Sequence, residues 1–140
     1  MIRNADTQDT SFVYACLCNL EDCTLDRKVF EAGYKQQLAD TSLSMLVLEH
    51  EKQPCGYMSI RTLYHLHHCA RIAVIEELYI SRNARGNGWG RAMMEYAVQY
   101  AQAQGCVQLE LSSSCAREGA HAFYKRVGMS CSHYKFTRNI

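Results

Sequence analysis

The feature that most constrains this chain is a glycine-rich turn that joins an apolar strand to an amphipathic helix. Residues 72–80 form an apolar run broken only by two glutamates, which is typical of a buried central strand. The turn at 85–90 holds three glycines, and residues 89–101 then repeat apolar side chains at helical spacing. Glycines let the backbone turn tightly, so that amides and the positive helix end converge where a pyrophosphate would fit.

The remaining apolar pattern extends this unit into one mixed domain. Helical spacing predicts further helices near residues 12–20, 26–38 and 116–127, the first two capped by Asp6 and Asp26. Apolar runs predict further strands near residues 1–5, 45–48, 55–66, 107–111 and, rich in aromatic residues, 129–137. The order β-α-α-β-β-β-α-β-α-β, without a linker or repeat, predicts a single α/β (α+β) domain over residues 1–140.

Composition favours a small-molecule partner. The 140 residues carry 15 Lys+Arg against 14 Asp+Glu, a net charge of +1 that offers no field for gripping nucleic acid. The sequence shows no secretory signal and no stretch near the roughly 20 apolar residues of a membrane span, so we expect a cytoplasmic location without a membrane partner. The eight cysteines form no C-x-x-C pair, which favours reduced thiols in the core over a zinc site.

Two common glycine motifs do not match the turn. A dinucleotide-binding fold requires G-x-G-x-x-G at the start of a repeating βαβ unit, but this turn follows an antiparallel hairpin at mid-chain. A P-loop requires G-K followed by Ser or Thr, which is absent here. The turn therefore needs another explanation.

The turn resembles the acetyl-CoA motif R-x-x-G-x-G of the GNAT superfamily of N-acetyltransferases, with Arg85, Gly88 and Gly90 in the matching places. The opening residues 2–5 with Asp9, and the A-x-x-F-Y segment at 120–129, resemble the same family. The resemblance implies a mixed, mostly antiparallel sheet of about six strands flanked by about four helices. It also implies an acyltransferase that uses acetyl-CoA as co-substrate.

The resemblance further implies which residues hold acetyl-CoA. Backbone groups of the strand end would bind the pantetheine arm, amides of the turn would bind the pyrophosphate, and the strand would splay from the next one to admit the ligand. The implied cofactor-binding residues are Leu78, Tyr79, Ile80, Arg85, Gly86, Asn87, Gly88, Trp89, Gly90, Arg91 and Arg117.

The chemistry of amine acetylation asks for a proton acceptor. An alkylamine with a pKa near ~10 is protonated at neutral pH and cannot attack a thioester until it loses a proton. Glu76 and Glu77 lie on the central strand, where their side chains should face opposite sides of the sheet. We favour Glu77 as the catalytic base, the alternative being an ordinary solvated or ion-paired strand residue.

Tyr124 is the second candidate catalytic residue. Its place in the F-Y segment resembles that of the GNAT tyrosine that reaches the coenzyme A sulfur, where it would assist departure of the thiolate. The alternative is a core tyrosine with a satisfied hydroxyl.

The acceptor amine is predicted from two basic segments, 61–71 and 133–138, which contain no carboxylate. The candidate substrate-binding residues are Arg61, His65, His67 and His133, since guanidinium and imidazolium groups bind phosphonate or carboxylate oxygens. These segments resemble the aminoalkylphosphonate N-acetyltransferases within GNAT. Polyamines, aminoglycosides, amino acids and peptides remain alternative acceptors, and a non-catalytic acyl-CoA-binding module is a further one.

Two other expectations concern metal and assembly. His65 and His67 would share a face of a strand and could chelate a divalent metal, with His68 facing the other way; anion binding or an ordinary surface cluster are the alternatives. An exposed last strand could pair with a second copy in a homodimer.

Overall fold

The protein forms one five-stranded sheet, and the first three helices of the chain pack against it. The structure is a computed structural model that describes all 140 residues. The strands are β1 (Ile2–Asn4), β2 (Leu43–His50), β3 (Gln53–His65), β4 (Ala70–Ile80) and β5 (Cys106–Leu111). The α-helices are α1 (Thr10–Glu21), α2 (Arg27–Leu38), α3 (Trp89–Ala103) and α4 (Glu118–Arg126). Short 3-10 turns cover Thr7–Asp9, Leu66–His68 and Arg82–Ala84.

The strands lie in the sheet in their order along the chain, from β1 to β5. The pairs β1–β2, β2–β3 and β3–β4 are antiparallel. Residue contacts divide the chain into two compact units, Met1–Glu110 and Leu111–Ile140. No helix is both long enough and apolar enough to span a bilayer.

The two faces of the sheet bury alternate residues of the strands. On one face Val47 and Tyr57 join a core cluster to which α1 contributes Val13 and α2 contributes Tyr34. The alternate position Met58 is fully buried, and α3, which packs against β3 and β4, contributes its own buried residues Met93, Met94, Ala97 and Ala101. Each buried Val or Met side chain stabilises the fold by about 1.5–3 kcal/mol through loss of contact with water.

The amino-terminal segment is fixed by a partly buried ion pair. Asp9 is 5% exposed and receives two hydrogen bonds from the guanidinium of Arg3, at 2.7 and 2.8 Å. The Arg3 Nε also donates to Glu49 on β2, at 2.7 Å. Asp6 caps the 3-10 turn Thr7–Asp9, which leads into α1, rather than α1 itself. The side chain of Asp26 accepts from the amide of Val29 at the start of α2, as predicted.

A β-bulge interrupts the pairing of β3 with β4. Ser59 pairs with Glu77 and the next residue, Ile60, pairs with Ile75, so that Glu76 has no partner on β3. The extra residue shifts the alternation of side chains by one position. The bulge therefore decides which face of the sheet the side chains of Glu76 and Glu77 reach.

The predicted last strand at 129–137 is wrong, because residues 129–140 have no regular secondary structure. A strand is stable only where its backbone groups find a partner. Tyr134 and Phe136 alternate as strand residues do, yet each is 91% exposed. The sheet has five strands rather than about six.

Candidate active site

The turn after β4 presents free backbone amides at the start of α3. Gly86 and Gly88 adopt left-handed backbone angles, with φ of +82° and +79°. Gly88 is the N-terminal cap of α3 and offers no side chain to accept a hydrogen bond from the first helical turn. The first amides of a helix have no partner within it, and the helix dipole adds positive charge there. The turn is therefore suited to an anion such as a pyrophosphate.

The side chains around the turn are folded back onto the strand end. The Nε of Arg85 donates to the carbonyl of Ile80 at 3.0 Å, and its guanidinium lies 5.4 Å from the ring centre of Tyr79. The side-chain amide of Asn87 donates to the carbonyl of Ala84 at 3.2 Å. These contacts hold the turn in shape while its own amides stay free.

A cavity of about 320 Å³ lies beside the end of β4. Its walls come from α1, from β4 and from the segment that follows the strand, and they contain no carboxylate. The lining residues are Phe12, Ala15, Cys16, Asn19, Tyr79, Ser81, Arg82 and Asn83. Arg82 forms no ion pair, so it is the cavity's one uncompensated charge.

Glu77 lies one strand repeat from Tyr79 and shares its face of the sheet. The hydroxyl of Ser59, on the neighbouring strand, donates to its carboxylate and accepts from its backbone amide. Burial raises the pKa of Glu77, and the hydrogen bond from Ser59 opposes that shift without cancelling it. A carboxylate with a raised pKa and a nearby cavity can accept a proton from a bound amine.

The prediction that Glu76 and Glu77 face opposite sides is wrong. Glu76 contacts the Nε of Arg61 at 2.5 Å, and Arg61 lies on β3 two residues from Ser59, the partner of Glu77. Both carboxylates therefore reach the same face, because the bulge inserts Glu76 without a partner. Sequence spacing alone gives no sign of such a bulge.

Arg61, a predicted substrate-binding residue, has its charge matched by two carboxylates. Its guanidinium contacts Asp40 at 2.7 Å as well as Glu76, and it also donates to the hydroxyl of Ser42 at 2.9 Å. The bond from Arg61 lowers the pKa of Asp40 to about 2. In this arrangement Arg61 links β3 to the loop before β2.

His65, His67 and His68 cluster at the tip of the β3–β4 hairpin. Their ring centres lie 4.3 to 5.7 Å apart. The expectation that His68 faces away is wrong, because β3 ends at His65 and the next three residues form a 3-10 turn. His65 lies six residues beyond Ser59 on β3, roughly 20 Å along a regular strand. The cluster is thus well separated from Glu77.

The unit Leu111–Ile140 carries three further predicted residues. Tyr124, on α4, is half-buried, and burial raises the pKa of its phenol. Arg117 is the N-terminal cap residue of α4, and its amide donates to the carbonyl of Ser114 at 3.0 Å. His133 is exposed and contacts the hydroxyl of the adjacent Ser132.

The structure adds residues that sequence reasoning missed. Ser59 depends on the register between β3 and β4, which no local pattern reveals. Arg82 lies between the predicted strand and the glycine turn. Its closeness to a motif suited to anions could have marked it as a candidate anion-binding residue. Asn19 and Phe12 enter the cavity only because α1 packs beside β4.

Comparison with known proteins identifies the family. A model of the acetyltransferase (GNAT) family matches residues 12–129. The aminoalkylphosphonate N-acetyltransferase of Salmonella typhimurium is 34% identical over 139 residues, which cover 99% of this chain and 90% of that protein. GNAT enzymes use acetyl-CoA as co-substrate, which agrees with the anion-binding turn.

Solved structures share the fold at low sequence identity. A transcriptional regulator from Bacillus halodurans superposes with a TM-score of 0.91 at 20% identity, covering 100% of this chain and 99% of that one. An aminoglycoside 6'-N-acetyltransferase from Acinetobacter haemolyticus gives 0.83 at 14% identity, with the same coverage. The expected fold is confirmed, and the chain belongs to the GNAT family and is an N-acetyltransferase.

Proposed function

We propose that the enzyme transfers the acetyl group of acetyl-CoA to the primary amine of a small, anion-bearing acceptor such as an aminoalkylphosphonate. The observation that carries the proposal is the cavity beside β4, which has one unpaired arginine, no carboxylate and Glu77 one strand repeat away. Such walls suit an acceptor that brings both an amine and an anion.

The co-substrate is held by backbone rather than by side chains. Amides of the turn and of the first residues of α3 bind the pyrophosphate, aided by the helix dipole. The end of β4, from Leu78 to Ile80, aligns the pantetheine arm. The thioester is thereby presented beside the strand that carries Glu77.

Glu77 accepts the proton of the acceptor ammonium, directly or through a water molecule. The neutral amine then attacks the thioester carbonyl carbon. The carbon–nitrogen bond forms, the carbon–sulfur bond breaks as the coenzyme A thiolate leaves with the bonding electron pair, and the nitrogen releases its second proton to water. The raised pKa of Glu77 brings it closer to that of the amine, which favours this transfer. Ser59 positions the carboxylate through its hydrogen bond.

Tyr124 donates a hydrogen bond to the departing thiolate, the role that the family resemblance implies. Because burial raises its pKa, the phenol keeps its proton at neutral pH and stays available as a donor. The thiolate of coenzyme A is a modest base, with a thiol pKa near ~8.5, so full protonation is not required.

Two observations support the acceptor class. The Salmonella typhimurium relative, at 34% identity over nearly the whole chain, is an aminoalkylphosphonate N-acetyltransferase. The guanidinium of Arg82 is free to bind a phosphonate through two parallel hydrogen bonds, whereas that of Arg61 is already paired with Asp40 and Glu76. Arg82 is therefore the better-placed partner for the anion.

A thiol-release assay with acetyl-CoA tests the acceptor class. We expect turnover with 2-aminoethylphosphonate and aminomethylphosphonate, and kcat/KM at least about 100-fold lower for ethanolamine, which lacks the anion. Spermidine and kanamycin serve as acceptors that need acidic walls. Faster turnover of either one, or acetylation of a peptide without activity on aminophosphonates, would reject the proposed class.

The substitution Arg82→Gln separates acceptor binding from co-substrate binding. We expect the KM for 2-aminoethylphosphonate to rise about 10- to 100-fold, with little change in the KM for acetyl-CoA. Arg126→Gln, an exposed arginine on α4, is the matched control. An effect of Arg82→Gln on acetyl-CoA alone would assign this arginine to the co-substrate instead.

A further inference from the structure

The tip of the β3–β4 hairpin gathers three imidazoles at close range. His65 ends β3, and His67 and His68 follow in a 3-10 turn. One ring nitrogen from each histidine lies within 4.8 Å of the corresponding atom of the other two. Such convergence places three imidazole nitrogens around one point.

One ring nitrogen of the three histidines lacks any hydrogen-bond partner. The Nδ1 atom of His65 is inaccessible to solvent and unpaired. A buried polar atom without a partner is costly, and the great majority in native proteins find one. A metal ion bound through that nitrogen would supply the partner.

From this arrangement we propose that the hairpin tip is a binding site for a divalent transition metal of the zinc, nickel or cobalt class, held by His65, His67 and His68. Imidazole donors suit these ions, whereas magnesium and calcium require oxygen ligands. Two imidazole nitrogens on a tetrahedral zinc lie about 3.4 Å apart, so the rings need to close by at most about 1.4 Å. The exposed His67 and His68 can rotate to do so.

The site is independent of acetyl transfer. His65 lies roughly 20 Å along β3 from Ser59, which is farther than a small acceptor can reach from Glu77. Three histidines leave at least one coordination position open for water or an anion. The metal would pin the hairpin tip, and the proposal does not rest on the proposed acceptor.

Titration of the tag-free chain with Co²⁺ tests the site. We expect one equivalent to bind with visible absorption bands of nitrogen-ligated cobalt, and Zn²⁺ to displace it. His67→Asn and His68→Asn should each weaken binding at least about tenfold, while His133→Ala, an exposed histidine outside the cluster, should not. Circular dichroism verifies that each variant is folded.

A second measurement needs no variant. Paramagnetic Co²⁺ should broaden the NMR signals of residues 64–71 before all others. Absence of binding at millimolar Co²⁺, equal affinity of the variants and the parent, broadening elsewhere in the chain, or a thiolate-to-cobalt charge-transfer band would each overturn the proposal. The last outcome would assign the metal to cysteines.

Discussion

The carboxyl group of Glu77 is half-buried on β4 and hydrogen-bonded to Ser59, so its charged form is partly removed from water. Its folded pKa is raised, and its ionisation therefore opposes folding as pH rises through that value. In the proposed mechanism, this stability cost accompanies a pKa shifted toward that of the amine whose proton Glu77 accepts. This opposition between the stability of the fold and the proposed catalytic role of Glu77 can be measured.

Replacement of Glu77 by Gln should lower kcat/KM by about 10²- to 10⁴-fold, because the amide cannot accept the proton. In the parent enzyme the rate should fall as pH drops through the raised pKa of Glu77, and the variant should lack that limb. Steady-state kinetics across pH provides the measurement. An unaltered pH profile in the variant would exclude Glu77 as the base.

Ser59→Ala should shift the acid limb of the profile to higher pH. The Ser59 hydroxyl favours the charged carboxylate, so its loss raises the pKa of Glu77 further. At pH values above the limb, kcat should change little, since the base itself remains. A uniform loss of rate at all pH values would instead indicate a structural defect at this fully buried position.

Tyr124→Phe should reduce kcat by roughly 10- to 100-fold while leaving the KM for acetyl-CoA nearly unchanged. The ring is retained, so the effect isolates the hydroxyl group. Pre-steady-state measurement of thiol release separates the chemical step from product release. Unchanged kinetics would remove Tyr124 from the mechanism.

At the scale of elements, we expect the glycine turn after β4 to determine co-substrate affinity. Gly88→Ala forces a side chain into a left-handed backbone conformation, at a cost of about 1–2 kcal/mol. If that strain weakens binding by the same free energy, the Kd for coenzyme A rises about 5- to 30-fold. Calorimetry measures this Kd. Unchanged affinity would show that the turn geometry does not matter for binding.

Gly33→Ala is the matched control for that substitution. Gly33 lies inside α2 with an ordinary helical φ, and an added Cβ would meet no atom within 4 Å. The change should stabilise the fold by about 0.5–1 kcal/mol through reduced unfolded-state entropy. Coenzyme A affinity should stay the same.

Local pattern predicted most elements but not the way they join. The strand, the turn and the helix around Gly88 could be predicted from the sequence, because the spacing of apolar residues and the positions of glycines are local signals. The bulge at Glu76 and the turn that brings His68 back to His65 depend on pairing between strands. The prediction of a last strand in the aromatic segment 129–137 was wrong for the same reason. An alternating pattern of residues does not show whether a partner strand exists.

For the molecule as a whole, the Arg3–Asp9 pair couples stability to pH. The hydrogen bond from Arg3 lowers the folded pKa of Asp9 below its unfolded value of about 3.9. The stabilisation is therefore complete above that unfolded value and lost as pH falls toward the folded one. Asp40 contributes in the same direction, although it is more exposed.

Asp9→Asn should lower the free energy of unfolding at pH 7 by about 2–3 kcal/mol, because Arg3 loses a charged acceptor in a buried place. The difference from the parent should shrink as pH falls below about 4. Denaturant unfolding at several pH values measures both effects. A difference that stayed constant with pH would mean that the charge of Asp9 is not its source.

The most direct test of the proposed co-substrate binding is an NMR titration of the ¹⁵N-labelled chain with coenzyme A. We predict that the amide signals of Gly86, Gly88, Gly90 and Arg91 shift most, because their N–H groups receive the pyrophosphate. Saturable binding that leaves these four amides unmoved would contradict the account.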